Sequence, residues 1–220
     1  VAYGGKLLRD LGCEVIKIEP PGGDALRSYG PFPGDKPNPE HSGLFIFMNG
    51  GKRGTRLDIE TAEGRKDLVS LLEGADVLLH SFQPAEAKRL GLDPDGLLER
   101  YPQLIVSAIT PYGSTGPYAE WKGYAIQAQA GSTIASRHGE RDREPITSPL
   151  DQAEIQHGGV HIAAATALAL VHRNRTGRGQ FVDVGTMDAV QFSVAGVNIP
   201  RVVYGGAAQW VRSGRRMASG

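Results

Sequence analysis

Short apolar runs alternating with stretches of helical spacing constrain this chain more than any other feature. Residues 13–19 (CEVIKIE), 75–80 (ADVLLH), 104–109 (LIVSAI) and 181–184 (FVDV) read as strands, with 56–59 as a weaker candidate. Period-two alternation, or a brief β-branched run, suits a ladder buried on one or both faces. Between them, 2–11 carries Leu7, Leu8 and Leu11 at helical spacing and stops at Gly12. Thr61 opens the next helix, with Glu63 in its first turn and Leu68, Val69, Leu71 and Leu72 on its face. Further helices are expected at 84–90, 93–100 (Asp93 as N-cap, Pro94 first inside), 124–132, 154–173 and 187–197. Residues 24–48 lack sustained period and are expected to form a loop, with a short apolar element at 44–48. Strands that alternate with helices must be joined by crossovers, which makes them parallel. The expected architecture is therefore α/β: a doubly wound, mostly parallel sheet with helices on both faces. Ligands of such sheets gather beyond the carboxyl ends of the strands, which places the loops after Glu19, His80 and Ile109 on one rim.

The longest helix has the most unusual surroundings. Asp151 and Glu154 stand at its mouth, Gly158 and Gly159 follow one turn later, and Ile162 to Val171 is apolar or small on nearly every face. That composition predicts a helix buried on most sides, and the glycines predict close approach of a ligand or another backbone. An acid at the edge of such a helix has its ionisation set by its surroundings. The same spacing also fits Asp151 as an N-cap with Glu154 as its capping-box partner.

The remaining motifs mostly exclude. The 220 residues balance at zero formal charge, which removes a global electrostatic argument for nucleic acid or an anionic membrane. Cys13, the one cysteine, rules out an internal disulfide, fits a reducing cytoplasmic compartment, and is expected to pack as a small apolar residue. No stretch is long and apolar enough for a transmembrane helix. No phosphate-cradling GxGxxG or GxxxxGK[ST] and no GxSxG elbow occurs. His157 and His161 lie four apart on one helix, but no third ligand accompanies them, so no metal is expected. The chain opens on what reads as mid-helix and closes on SGRRMASG, which predicts that both ends belong to something longer.

Six pieces in order do accumulate: EVIKIEPPGGDALR, GGKRGTRLDIETAEGRKDL, ADVLLHSFQPAEAKRLGL, YPQLIVSAITPYGSTGPYAEWKGY, the acid-bearing helix, and RTGRGQFVDVGTMDAV. Together they resemble the family III CoA-transferases (CaiB/BaiF-type), a superfamily that includes formyl-CoA transferase and α-methylacyl-CoA racemase. The resemblance implies that residues 1–200 form a Rossmann-like CoA-binding large domain lacking its first strand, with 201–220 a linker toward an absent small domain. It also implies an interlocked homodimer at full length. The implied activity is acyl-CoA:carboxylate CoA transfer through a covalent carboxylate intermediate. In the family the nucleophile is an aspartate at the start of the long helix. Counting from Tyr124 and Pro145 lands on Glu154, counting back from RTGRGQ misses by one residue, and Asp151 is the nearby aspartate. Glu154 is thus the first candidate and Asp151 the second. The racemase branch places a histidine where this chain has Gly123 and Tyr124, which disfavours a racemase or epimerase; a catalytically silent CoA-binding member is the third reading.

For coenzyme A the resemblance points to Leu57 at the adenine, the Ser81–Phe82 pair, Arg89 and Leu90, and Lys122 and Tyr124 toward the acyl end. Pro20 and Glu60 stand where some members carry an arginine and a lysine, with Arg27, Lys52 and Arg53 as candidate replacements. No metal enters the implied chemistry, and the partners are an acyl-CoA and a carboxylic acid.

Overall fold

In the computed structural model the described residues are 1–132, 134–137, 139, 143–144 and 153–193, with the backbone alone for 136–137, 153–156 and 193. Helix α1 (Ala2–Asp10) leads through Gly12, at φ +100°, into β1 (Ile16–Glu19). Helix α2 (Gly43–Asn49), capped by the Ser42 hydroxyl, precedes β2 (Arg53–Arg56), then α3 (Ala62–Leu72) and β3 (Val77–His80). Helices α4 (Pro84–Arg89) and α5 (Pro94–Arg100) lie before β4 (Ile105–Thr110), and α6 (Ala125–Gly131) follows it. The long α7 (Ala153–Thr176), β5 (Gln180–Gly185) and α8 (Thr186–Ser193) complete the described chain.

Among the described residues all strand pairs are parallel, in two sheets ordered β1-β2 and β3-β4-β5. The doubly wound α/β arrangement follows from which side chains each face buries. Even-numbered positions Leu78 and Val106 face a core built from Leu68 and Leu72 of α3 and Leu97 of α5. Odd-numbered Val77, Leu79, Ile105 and Ile109 face Ile162 and Ala169 of α7. Ile18 of β1 joins Leu78 of β3 on the α3 side, so one apolar floor underlies both sheets. On the other face α1 packs on α7.

Local chemistry explains the boundaries. Thr61 Oγ1 accepts the Gly64 N–H at 3.0 Å and Asp93 Oδ2 accepts the Gly96 N–H at 3.0 Å, each satisfying an orphan donor of a first turn. Three expectations need correction. The strand expected at 56–59 lies at Arg53–Arg56: its register on β1 pairs Ile16 with Arg53, and an outer strand with polar neighbours carries no apolar signature. The 24–48 segment contains two 3-10 turns, and its apolar stretch is the helix α2. Cys13 is exposed, because Gly12 turns the chain away from α1 before β1 begins. The expectation of an α7 buried on most sides holds: Ile162, Ala163, Thr166 and Ala169 are buried against the sheet, α1, α6 and α8, while Leu168, 71% exposed, and Val160 and Val171 form one open stripe.

Candidate active site

Helix α7 runs antiparallel to the strands, so its first turn reaches the rim at their carboxyl ends. At its far end Arg173 pairs with Asp76, just before β3, at 2.7 Å. Near its start Gly158 lies against Ile109, close to the end of β4: an added Cβ would stand 2.7 Å from Ile109 Cδ1. Glu154 precedes Gly158 by one turn, which places its backbone about 6 Å further out, beyond the strand ends. Gly159 fulfils the close-approach expectation through another backbone, since a Cβ there would meet Tyr3 Cβ at 2.9 Å and the Gly4 nitrogen at 3.2 Å. Asp151 and the Glu154 side chain lie outside the described residues.

The loop after β3 carries the next group. Ser81 is exposed, while Phe82 is half-buried with its edge on the Leu68–Leu97 core. His80, the last residue of β3, is 6% exposed, and its Nδ1 accepts the Phe82 N–H at 3.2 Å. The two rings stack with centroids 5.7 Å apart. Because Nδ1 accepts, the proton sits on Nε2, which has no partner among the described residues. Burial alone pushes the imidazole down from 6.5 to about 4.

This loop is tied to the one that follows β4. Gln83 Nε2 donates to the Trp121 carbonyl at 2.8 Å, and Glu120 Oε1 accepts the Ala85 N–H at 2.9 Å in the first turn of α4. Lys122 and Tyr124 project from the second loop, Tyr124 67% exposed, with its N–H held by Gln127 Oε1 at 3.0 Å. Gly123 between them packs on β4's exit, where a Cβ would stand 2.4 Å from Pro111 Cβ. Tyr118 meets Trp121 in a tilted pair, centroids 4.6 Å apart, and adds an aromatic shoulder that sequence reading missed; its signal was the density of aromatic residues in TPYGSTGPYAEW.

The remaining predicted positions divide. The Leu57 N–H donates to the Glu19 carbonyl at 3.0 Å, which holds Leu57 at the end of β1. Arg89 and Glu60 meet in a two-pronged exposed pair, 2.5 and 2.8 Å, which lowers the Glu60 carboxyl's pKa and raises that of the guanidinium. The arginine expected to meet a phosphate is thus already engaged by the acid standing in a lysine's place. Leu90 is 3% exposed and belongs to the α3–α5 core. A cleft of about 400 Å³ between α3 and α5 touches Leu90 from outside the rim.

Of the candidate replacement cations, Arg27 is committed. Its Nε and Nη2 grip the Glu19 carboxylate at 2.8 and 2.9 Å, and its guanidinium lies 3.8 Å from the centroid of Phe45. Lys52 is half-buried, donating to the Ala2 carbonyl at 2.7 Å and Asn49 Oδ1 at 2.9 Å; burial, then the Lys17 charge, push it down to about 8. Arg53 pairs with Glu14 in solvent. No group of three or more potential metal ligands converges among the described residues, and His161 Nδ1 is spent on the His157 carbonyl at 2.8 Å.

Comparison with known proteins bears on the family and the fold. The family model described as CoA-transferase family III matches residues 1–217. Among curated relatives, the succinyl-CoA:(R)-benzylsuccinate CoA-transferase subunit BbsE of Thauera aromatica is 35% identical over 187 residues, 85% of this chain and 45% of its own. The succinate–glutarate CoA-transferase of Agrobacterium fabrum is 34% identical over 206 residues, 92% of this chain and 51% of its own. The chain thus spans about half the length of the curated relatives it matches. A solved CaiB/BaiF family protein from Brucella suis superimposes with a TM-score of 0.84 at 35% identity, covering 94% of this chain and 54% of that one.

Proposed function

The chain belongs to CoA-transferase family III, and we propose from this that the intact protein moves CoA from an acyl-CoA to a carboxylic acid through a carboxylate at the mouth of α7. The observation that supports the reading is the course of α7, whose start passes Ile109 at the carboxyl end of β4, the end of the sheet from which the Phe82 and Lys122 loops leave. In the proposed cycle a Glu154 oxygen attacks the thioester carbonyl carbon, the C–S bond breaks, and CoA leaves as a thiolate from a mixed anhydride. The thiolate then attacks the Glu154 carbonyl carbon, releasing the donor acid and leaving a glutamyl thioester. The acceptor carboxylate reverses both steps. No net proton or electron is consumed.

Leu57, Ser81, Phe82, Arg89, Lys122 and Tyr124 are proposed to receive the CoA, with Leu90 supporting α4 from within the core. A glutamate reaches about 1 Å further than the family's aspartate, a difference the pocket must absorb. Gly123 and Tyr124 standing where the racemase branch has a histidine supports transfer over racemisation, since an α-proton exchange needs a second acid–base group on the opposite face. The intact protein is proposed to act in the cytoplasm as an interlocked homodimer. Incubating it with an acyl-CoA and hydroxylamine should convert the Glu154 side chain to a hydroxamate detectable by peptide mass spectrometry. Modification of Asp151 instead would transfer the role to that residue, and modification of neither would refute covalent transfer.

A further inference from the structure

A buried imidazole at the end of a strand, beside the rim but not on it, calls for an explanation. Among the described residues the His80 side chain takes part in one hydrogen bond, which its Nδ1 accepts from the Phe82 N–H, and its ring stacks on the Phe82 ring. Its Nε2–H finds no acceptor among the described residues. An unmet buried donor costs stability, so packing alone favours an apolar residue here. What the imidazole supplies is an acceptor placed two bonds beyond Cβ, where the chain leaves the sheet and the Phe82 N–H has no ladder to join.

We propose that His80 is a positioning residue: by holding the Phe82 N–H it sets the height and tilt of the Phe82 ring as a wall against bound coenzyme A. The inference rests on the reading of Phe82 as part of the CoA site. It is specific to one atom. Asn carries its Oδ1 where His carries Nδ1 and can accept the same N–H; Gln places its oxygen one atom further out; Leu has no acceptor.

The test is isothermal titration of coenzyme A into the intact protein and its His80→Asn, His80→Gln, His80→Leu and Phe82→Ala variants. A net hydrogen bond is worth up to roughly tenfold in binding. His80→Leu and His80→Gln should weaken CoA by roughly that factor, and His80→Asn should stay within about threefold of wild type. In turnover the loss should fall on KM for the acyl-CoA, with kcat held within about twofold. Wild-type affinity in His80→Leu overturns the proposal, and so does equal weakening in Asn and Leu, which would mark a packing role. If Leu does not fold, the Asn-against-Gln comparison decides alone. Should Phe82→Ala bind CoA as tightly as wild type, the CoA reading of Phe82 falls and this proposal with it; if Phe82→Ala weakens binding while His80→Leu does not, the His80 claim alone is refuted.

Discussion

Acidification should destabilise this chain through His80 well before its carboxylates titrate. The folded imidazole is held at about 4 against 6.5 when unfolded. Between those values the unfolded state binds the extra proton, so stability is full above the unfolded value and drains away as pH falls toward 4. Applied to these two values, linkage gives a loss of about 2 kcal/mol between pH 7 and pH 5. Protonation also turns Nδ1 from acceptor to donor and sets it against the Phe82 N–H, so the chemical cause and the thermodynamic sign agree. The assay is urea unfolding followed by tryptophan fluorescence at pH 7, 6 and 5, for wild type and His80→Asn. His157, also lowered by burial and by His161, contributes alike to both proteins and cancels in the difference. Wild type should lose about 2 kcal/mol more than the variant. Parallel pH profiles for the two proteins would refute the reasoning, because they would show that His80 titrates no differently folded than unfolded.

Other consequences are as direct. Arg27→Ala strands the Glu19 carboxylate, 5% exposed, without its cation, and should cost about 3–5 kcal/mol in chemical denaturation. Gly159→Ala pushes a Cβ into Tyr3 Cβ and the Gly4 backbone and should cost about 1–3 kcal/mol, whereas Gly158→Ala meets only the swinging end of Ile109 and should cost less; thermal midpoints rank the two. Glu60→Lys should leave the thermal midpoint nearly unchanged while tightening coenzyme A by roughly threefold to tenfold at low salt, since it releases Arg89 for phosphate; unchanged affinity by calorimetry would remove Arg89 from the proposed site.

Much of this could be read from the residues, for identifiable reasons. ADVLLH and LIVSAI announced β3 and β4 because strands buried by helices on both faces must be apolar throughout. Thr61 and Asp93 announced α3 and α5 because a cap is a local event. β2 was illegible at its true place because RGTR owes its conformation to pairing with β1, a partner distant in sequence. Leu90 shows the same limit at the site: a resemblance assigns it to a ligand, but only the packing of α3, α4 and α5 reveals that its side chain points into the core. Neither the Arg89–Glu60 pair nor the grip of Glu19 on Arg27 could be read from spacing, because each joins residues brought together only by the fold.

No ladder joins β1 to β3 among the described residues, although α3 floors both sheets and α1 meets α7 above them. Leu57 at the end of β1 and Phe82 after β3 are therefore spaced by side chains shared on the α3 floor, so thinning that floor at Leu68 or Leu72 would be felt at both positions.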